Sequence, residues 1–116
     1  MIYKITSLKK SFLMIFLFSS LVSSNEIIVI DVRSDEEVKT GIIQDAIHIE
    51  WTEIEKEISN IDITKDQSIY LYCRSGNRSG KATAILEKIG FTNVINAGGI
   101  DEAAKKLKKK IVKYSE

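Results

Sequence analysis

The chain contains a single cysteine, and the residues after it are suited to holding a negative charge. Cys73 opens the stretch Cys73-Arg74-Ser75-Gly76-Asn77-Arg78-Ser79-Gly80. A thiol becomes a nucleophile only as the thiolate, so the residues around it must favour the charged form. Backbone amides of a tight loop that runs into a helix make a concavity that does this. Gly76 lets the backbone bend and approach closely. Arg74 and Arg78 carry planar forks able to bind oxyanions. Ser79 can cap the helix or donate its hydroxyl towards sulfur. No acid occurs between Gln67 and Ile85, so this stretch offers donors and positive charge only.

The elements on either side determine where the cysteine stands. Ile69-Tyr70-Leu71-Tyr72 reads as a buried strand. Ala82, Ile85, Leu86 and Ile89 recur at i, i+3, i+4 and i+7, which predicts a helix. Cys73 therefore falls where a strand gives way to a loop and a helix. Ligands of open α/β sheets bind at that end of the strands.

The rest of the chain repeats the same alternation. Residues 26–32 (EIIVIDV) form a dense Ile/Val run suited to a parallel strand covered on both faces. Ser34 and Glu37 fit a capping box for a helix that Gly41 keeps short. Residues 46–51 alternate with period two and predict a second strand. Thr52 and Glu55 fit another capping box, with Ile54, Ile58 and Ile61 as an apolar stripe. Residues 62–68 are polar and loop-like. Gly90 is a natural stop for the helix after the cysteine. Residues 94–96 predict a fourth strand, with Gly98-Gly99 as a turn beside it. A last helix is expected from near Asp101, with Ala103, Leu107 and Ile111 on one face and Ala104 alongside. Its acids lie at the positive end and its lysines at the negative end, as the helix dipole prefers. Four strand–helix alternations predict an α/β fold: a parallel sheet flanked by helices on both faces, in a single domain.

Composition narrows the setting. The 116 residues carry 17 basic and 16 acidic side chains, a net charge of +1. Lys4, Lys9 and Lys10 precede an apolar run at residues 12–22, and Val22-Ser23-Ser24 suits a signal peptidase. Residues 1–24 are therefore expected to be a cleavable signal peptide and residues 25–116 the folded domain, periplasmic or secreted, with no stable membrane anchor after cleavage. Removing three lysines and no acids leaves the domain at −2. Nothing in that balance points to nucleic acid. A lone cysteine in an exported chain is either a reactive thiol or an intermolecular link. No cysteine or histidine cluster suits zinc, and no glycine pattern suits a nucleotide, so no cofactor is expected.

Asp31-Val32-Arg33, Gly41, Ala46-Ile47, the segment Tyr72 to Ala82, Gly90-Phe91 and Asn96-Ala97-Gly98-Gly99 together resemble a rhodanese (thiosulfate sulfurtransferase) domain, of the exported single-domain type. That resemblance implies a rhodanese-like fold, with Cys73 as the nucleophile that takes sulfur from thiosulfate and holds it as a persulfide. A thiol or cyanide then accepts the sulfur. It implies a substrate cradle of Arg74, Ser75, Gly76, Asn77, Arg78 and Ser79. Asp31 and Arg33 are expected to support the site, as an ion pair or as a brace of the loops near the sheet end. A monomer without cofactor is expected.

The loop is Cys-x4-Arg, one residue shorter than the Cys-x5-Arg of related phosphatases, and a tighter cup suits a sulfur atom better than a tetrahedral oxyanion. Two alternatives stay open: a cysteine-dependent phosphatase or arsenate-reductase type of enzyme, and a non-catalytic rhodanese-like binding domain. Ile42 stands where the family often has histidine, and Ile100 where an aromatic often follows the two glycines. His48 is expected to be packed or at the surface, and the six lysines of residues 105–113 to form a solvated helix face.

Overall fold

A computed structural model describes residues 26–115, so the leader expected at residues 1–24 lies outside the described part. The Ile/Val run becomes β1 (Ile28–Asp31), and the strand before the cysteine becomes β4 (Ile69–Cys73). The two pair in parallel through four successive positions, from Ile28 with Ile69 to Asp31 with Tyr72. β3 (Ile47–His48) adds to the far side of β1, and β5 (Val94–Gly99) to the far side of β4. The sheet order is β3-β1-β4-β5, all parallel.

Strand alternation divides the core in two. Ile28, Ile30, Val32, Ile69, Leu71 and Cys73 face one side, where α2 (Ile54–Glu57) and α3 (Asn77–Lys88) bury Ile54, Ala82 and Leu86. Val29, Tyr70 and Tyr72 face the other, with Ala103 of α4 (Ile100–Leu107) and Ile43. Helices thus cover both faces, as the alternating pattern predicts.

The Ser34–Glu37 capping box forms at α1 (Asp35–Val38), with Glu37 Oε1 accepting from the Ser34 amide at 3.0 Å. Gly90 ends its helix with φ 111°. Other expectations need correction. The strand expected over residues 46–51 narrows to Ile47–His48, because the chain enters a 3-10 turn at Trp51–Glu53. Thr52 is therefore inside a turn and caps nothing; Glu53 precedes α2 without a side-chain cap. Gly98 and Gly99 end β5 instead of forming a separate turn.

The last helix also stops early. Lys108 takes φ 55° and closes it at Leu107. Ile111 is thus off the expected helix face and lies in β6 (Ile111–Val112), antiparallel to β2 (Ile42–Ile43), a strand the residue pattern did not signal. Three consecutive lysines leave the helix no apolar side chain before Ile111. Pairing instead gives backbone partners to this segment beside β2, including a 2.8 Å bond from the Gln44 amide to the Lys110 carbonyl. Of the six lysines, only Lys105 and Lys106 lie on the helix.

Candidate active site around Cys73

Cys73 is the last residue of β4, and period-two alternation points it to the α3 side with Ile69 and Leu71. Gly76 follows with φ 99°, a left-handed conformation that glycine adopts without strain. This turns the chain back over the sulfur. The Gly76 amide donates to Cys73 Sγ at 3.0 Å, and Ser79 Oγ lies 3.4 Å from it. α3 begins at Asn77, so its positive N-terminal end also faces the thiol.

Cys73 has no exposed surface, yet its sulfur faces polar donors. Burial is the largest influence on the thiol and pushes its pKa up. The Ser79 hydroxyl and the amides of Ser79, Ser75 and Gly76 pull the other way and prevail, bringing it from 9.0 to about 7. Hydrogen bonds to the charged form outweigh desolvation.

The loop is held from outside by β5. Gly76 and Gly98 come so close that a Cβ on Gly76 would stand 3.3 Å from Gly98 Cα. A Cβ on Gly99 would stand 2.6 Å from the Arg74 carbonyl oxygen, so only glycine lets β5 approach the loop this closely. Asn96 reaches up from the same strand. Its Nδ2 donates to the Gly76 carbonyl at 3.0 Å, and its Oδ1 accepts from Ser79 Oγ at 2.7 Å and from the Gly98 amide at 3.0 Å. Ser79 is buried and does not cap α3; Gly76 occupies the cap position, and the Ser79 hydroxyl lies towards the sulfur.

The cup is not free of carboxylate. α1 carries Glu37 to Arg78, whose two terminal nitrogens donate to Oε1 at 2.7 Å and Oε2 at 2.9 Å. The Arg78 guanidinium, the largest influence, holds the Glu37 carboxyl well below its usual range. The acid-free run from Gln67 to Ile85 described the local segment correctly and missed this partner, which is distant in sequence. Arg78 is therefore a clamped cation at the rim. Arg74, Ser75 and Asn77 are exposed on the loop, and Arg74 makes no ion pair among the described residues.

Asp31 and Arg33 lie elsewhere. Asp31 alternates with Val29 and sits by Tyr72, on the sheet face opposite Cys73. Arg33 Nε donates to both Asp31 oxygens at 3.0 Å, and its terminal nitrogen reaches Oδ2 at 2.7 Å and the Gly41 carbonyl at 2.6 Å. The Tyr72 hydroxyl accepts the Ile43 amide at 2.9 Å. This buried network ties residues 41–43 to the sheet and so fixes the end of α1, from which Glu37 projects. Asp31 and Arg33, expected as an ion pair or a brace near the sheet end, form a buried ion pair on the face opposite the thiol. His48 is half-buried, with Nε2 2.7 Å from the Arg33 carbonyl. Glu37 and Asn96 are site neighbours that sequence reasoning did not single out. Glu37 appeared only as a cap, and nothing in its local pattern points across 41 residues to Arg78.

Among the described residues, no group of three or more His, Cys, Asp or Glu side chains is placed to hold a metal, and no helix is long and apolar enough to cross a membrane. A family model described as a rhodanese-like domain matches residues 17–106. The chain is 37% identical over 75 residues to the thiosulfate sulfurtransferase PspE of Escherichia coli, covering 65% of this chain and 72% of that protein. It is 38% identical over 78 residues to the sulfurtransferase YtwF of Bacillus subtilis, named there as putative, covering 67% and 74%. A solved E. coli rhodanese with anions superposes with a TM-score of 0.64 at 35% identity, covering 66% of this chain and 91% of that one.

Proposed function

Because the chain belongs to the rhodanese-like domain family, we propose that it is a sulfurtransferase that moves the outer sulfur of thiosulfate to a thiol or cyanide through a Cys73 persulfide. The observation that carries this reading is the Cys73 sulfur facing the Gly76 amide at 3.0 Å with its pKa lowered to about 7. The Cys73 thiolate attacks the outer sulfur. The S–S bond of thiosulfate breaks and its electron pair leaves with sulfite, so charge and electrons balance without an external oxidant. The persulfide's terminal sulfur then carries the negative charge. The acceptor attacks that sulfur and the thiolate is restored, a two-step covalent cycle.

The residues divide this work. Ser75, Gly76 and Ser79 present amides to the sulfur, and the Ser79 hydroxyl adds a donor. Arg74, exposed and outside any ion pair among the described residues, meets the sulfonate end of the incoming dianion. Asn77 lines the loop at the start of α3. Arg78, clamped by Glu37, shapes the rim and adds positive potential. A phosphatase reading is disfavoured by the Cys-x4-Arg spacing, one residue shorter than the Cys-x5-Arg loop that cradles a phosphate. The domain acts as a monomer after export, residues 1–24 serving as the leader.

The test is mass spectrometry after thiosulfate treatment. One added sulfur, about 32 Da, is expected on Cys73 as a reversible thiol modification, with sulfite released in equal amount. Cys73→Ser should show neither. An unmodified wild-type thiol overturns the proposal, and aryl phosphate hydrolysis that depends on Cys73 would establish the phosphatase alternative.

A further inference from the structure

The orientation of the Asn96 carboxamide is settled by two backbone partners. The Gly76 carbonyl can only accept, so it requires Nδ2, at 3.0 Å; the Gly98 amide can only donate, so it requires Oδ1, at 3.0 Å. Oδ1 therefore also faces Ser79 Oγ at 2.7 Å, and that bond must use the serine proton. Ser79 has only one such proton, and Cys73 Sγ also lies within reach of it, 3.4 Å from Oγ.

We propose that Asn96 is a positioning residue that competes with the Cys73 sulfur for the Ser79 hydroxyl proton. The inference rests on Cys73 being the nucleophile. In the neutral thiol, S–H donates to Ser79 Oγ and the serine donates to Asn96, so every group is satisfied. A thiolate has no proton and would face a serine lone pair. The hydroxyl then rotates, donates to sulfur, and releases Asn96 Oδ1, which keeps the Gly98 amide. No proton changes its heavy atom in this step. When the persulfide forms, charge moves outward to the terminal sulfur, Sγ becomes neutral, and the serine proton returns to Asn96. The hydroxyl thus alternates between two acceptors with the two halves of the cycle.

Asn96 is well placed for this, because it also holds the loop through Gly76 and packs against Gly80, where a Cβ would stand 3.2 Å from Nδ2. A structural role alone and a competing role predict opposite signs. If Asn96 only held the loop, its removal would loosen the Gly76 amide and raise the thiol pKa. If it competes for the proton, removal frees the hydroxyl for sulfur and lowers the thiol pKa.

The experiment is a ¹³C NMR titration of the Cys73 Cβ resonance in the full domain, which needs no sulfur donor. Asn96→Ala should lower the Cys73 pKa by about half a unit to one unit, the size of one net hydrogen bond. In a Ser79→Ala background the same change should produce no lowering. A rise, no change, or a lowering that persists without Ser79 overturns the proposal. A second measurement needs no Asn96 variant. The Asn96 side-chain carbonyl resonance of the wild type should titrate with the Cys73 midpoint, and stay flat in Ser79→Ala. A flat wild-type resonance, or one that still titrates without the hydroxyl, overturns it equally. A domain that titrates as expected but forms no persulfide would sink the sulfur-transfer proposal and leave this one standing.

Discussion

The lowered Cys73 pKa makes a prediction whose size follows from the loop geometry. A thiol at 9.0 is about one per cent ionised at pH 7, whereas one at about 7 is about half ionised. Lower basicity also weakens the nucleophile. With a Brønsted slope of about 0.4–0.5, two units cost roughly tenfold in intrinsic rate, so the net gain at pH 7 is about fivefold. The rate of persulfide formation under single-turnover conditions, read by quenched mass spectrometry, should rise with pH and level off near pH 7. Ser79→Ala should move that midpoint up by about one unit, because a donor to the thiolate is lost and the amide donors remain.

The same shift has a consequence for stability. A thiol whose folded pKa is depressed stabilises the fold fully above its unfolded value and loses that contribution as pH falls through the folded value. Urea denaturation of the wild type should therefore show stability rising between pH 7 and pH 9, relative to Cys73→Ser, by about 2 kcal/mol. A kinetic midpoint near 9, or parallel stability profiles for wild type and Cys73→Ser, would refute the idea that the loop amides outweigh burial.

Three further outcomes follow from the site's supports. Glu37→Gln should leave Arg78 without its charged partner. A cost of about 1–2 kcal/mol is expected for a half-buried bidentate pair, read as a fall in Tm of roughly 4–15 °C. Because the Glu37 carboxyl is held low, the pair's contribution is complete above the ordinary value of 4.5 and fades as pH falls below it, so the gap between wild type and Glu37→Gln should close in acid. Arg33→Met should be far more damaging, since it strands the fully buried Asp31 charge at about 3–5 kcal/mol; loss of the cooperative transition at 37 °C is the readout. Gly99→Ala should keep the circular dichroism of the fold yet slow persulfide formation at least tenfold, because the added methyl must push the Arg74 carbonyl and with it the loop.

Much of this was legible along the chain because it depends on near neighbours. Residues 26–32 and 69–72 announce themselves as buried strands, and the thiol falls where the second one ends; the structure extends that strand through Cys73. Ser34 and Glu37 form the capping box their spacing implies. The loop curls over sulfur because Gly76 sits where a left-handed residue is needed. Ile111 was misread because helical spacing continues past Leu107 in the sequence, whereas the backbone finds better partners in Ile42 and Ile43. Local periodicity does not register such long-range pairing.

The type of chemistry was decided by residue order: one thiol, followed by small donors and two arginines, at the carboxyl end of a strand. Tertiary structure decided the charge balance and the proton. It placed Glu37 on Arg78, set Asp31 and Arg33 behind the sheet as a brace, and brought Asn96 to the Ser79 hydroxyl. These contacts join residues that only a sheet with crossover helices makes neighbours, and a hydrogen bond or ion pair is set by distances of a few ångströms that spacing along the chain does not encode.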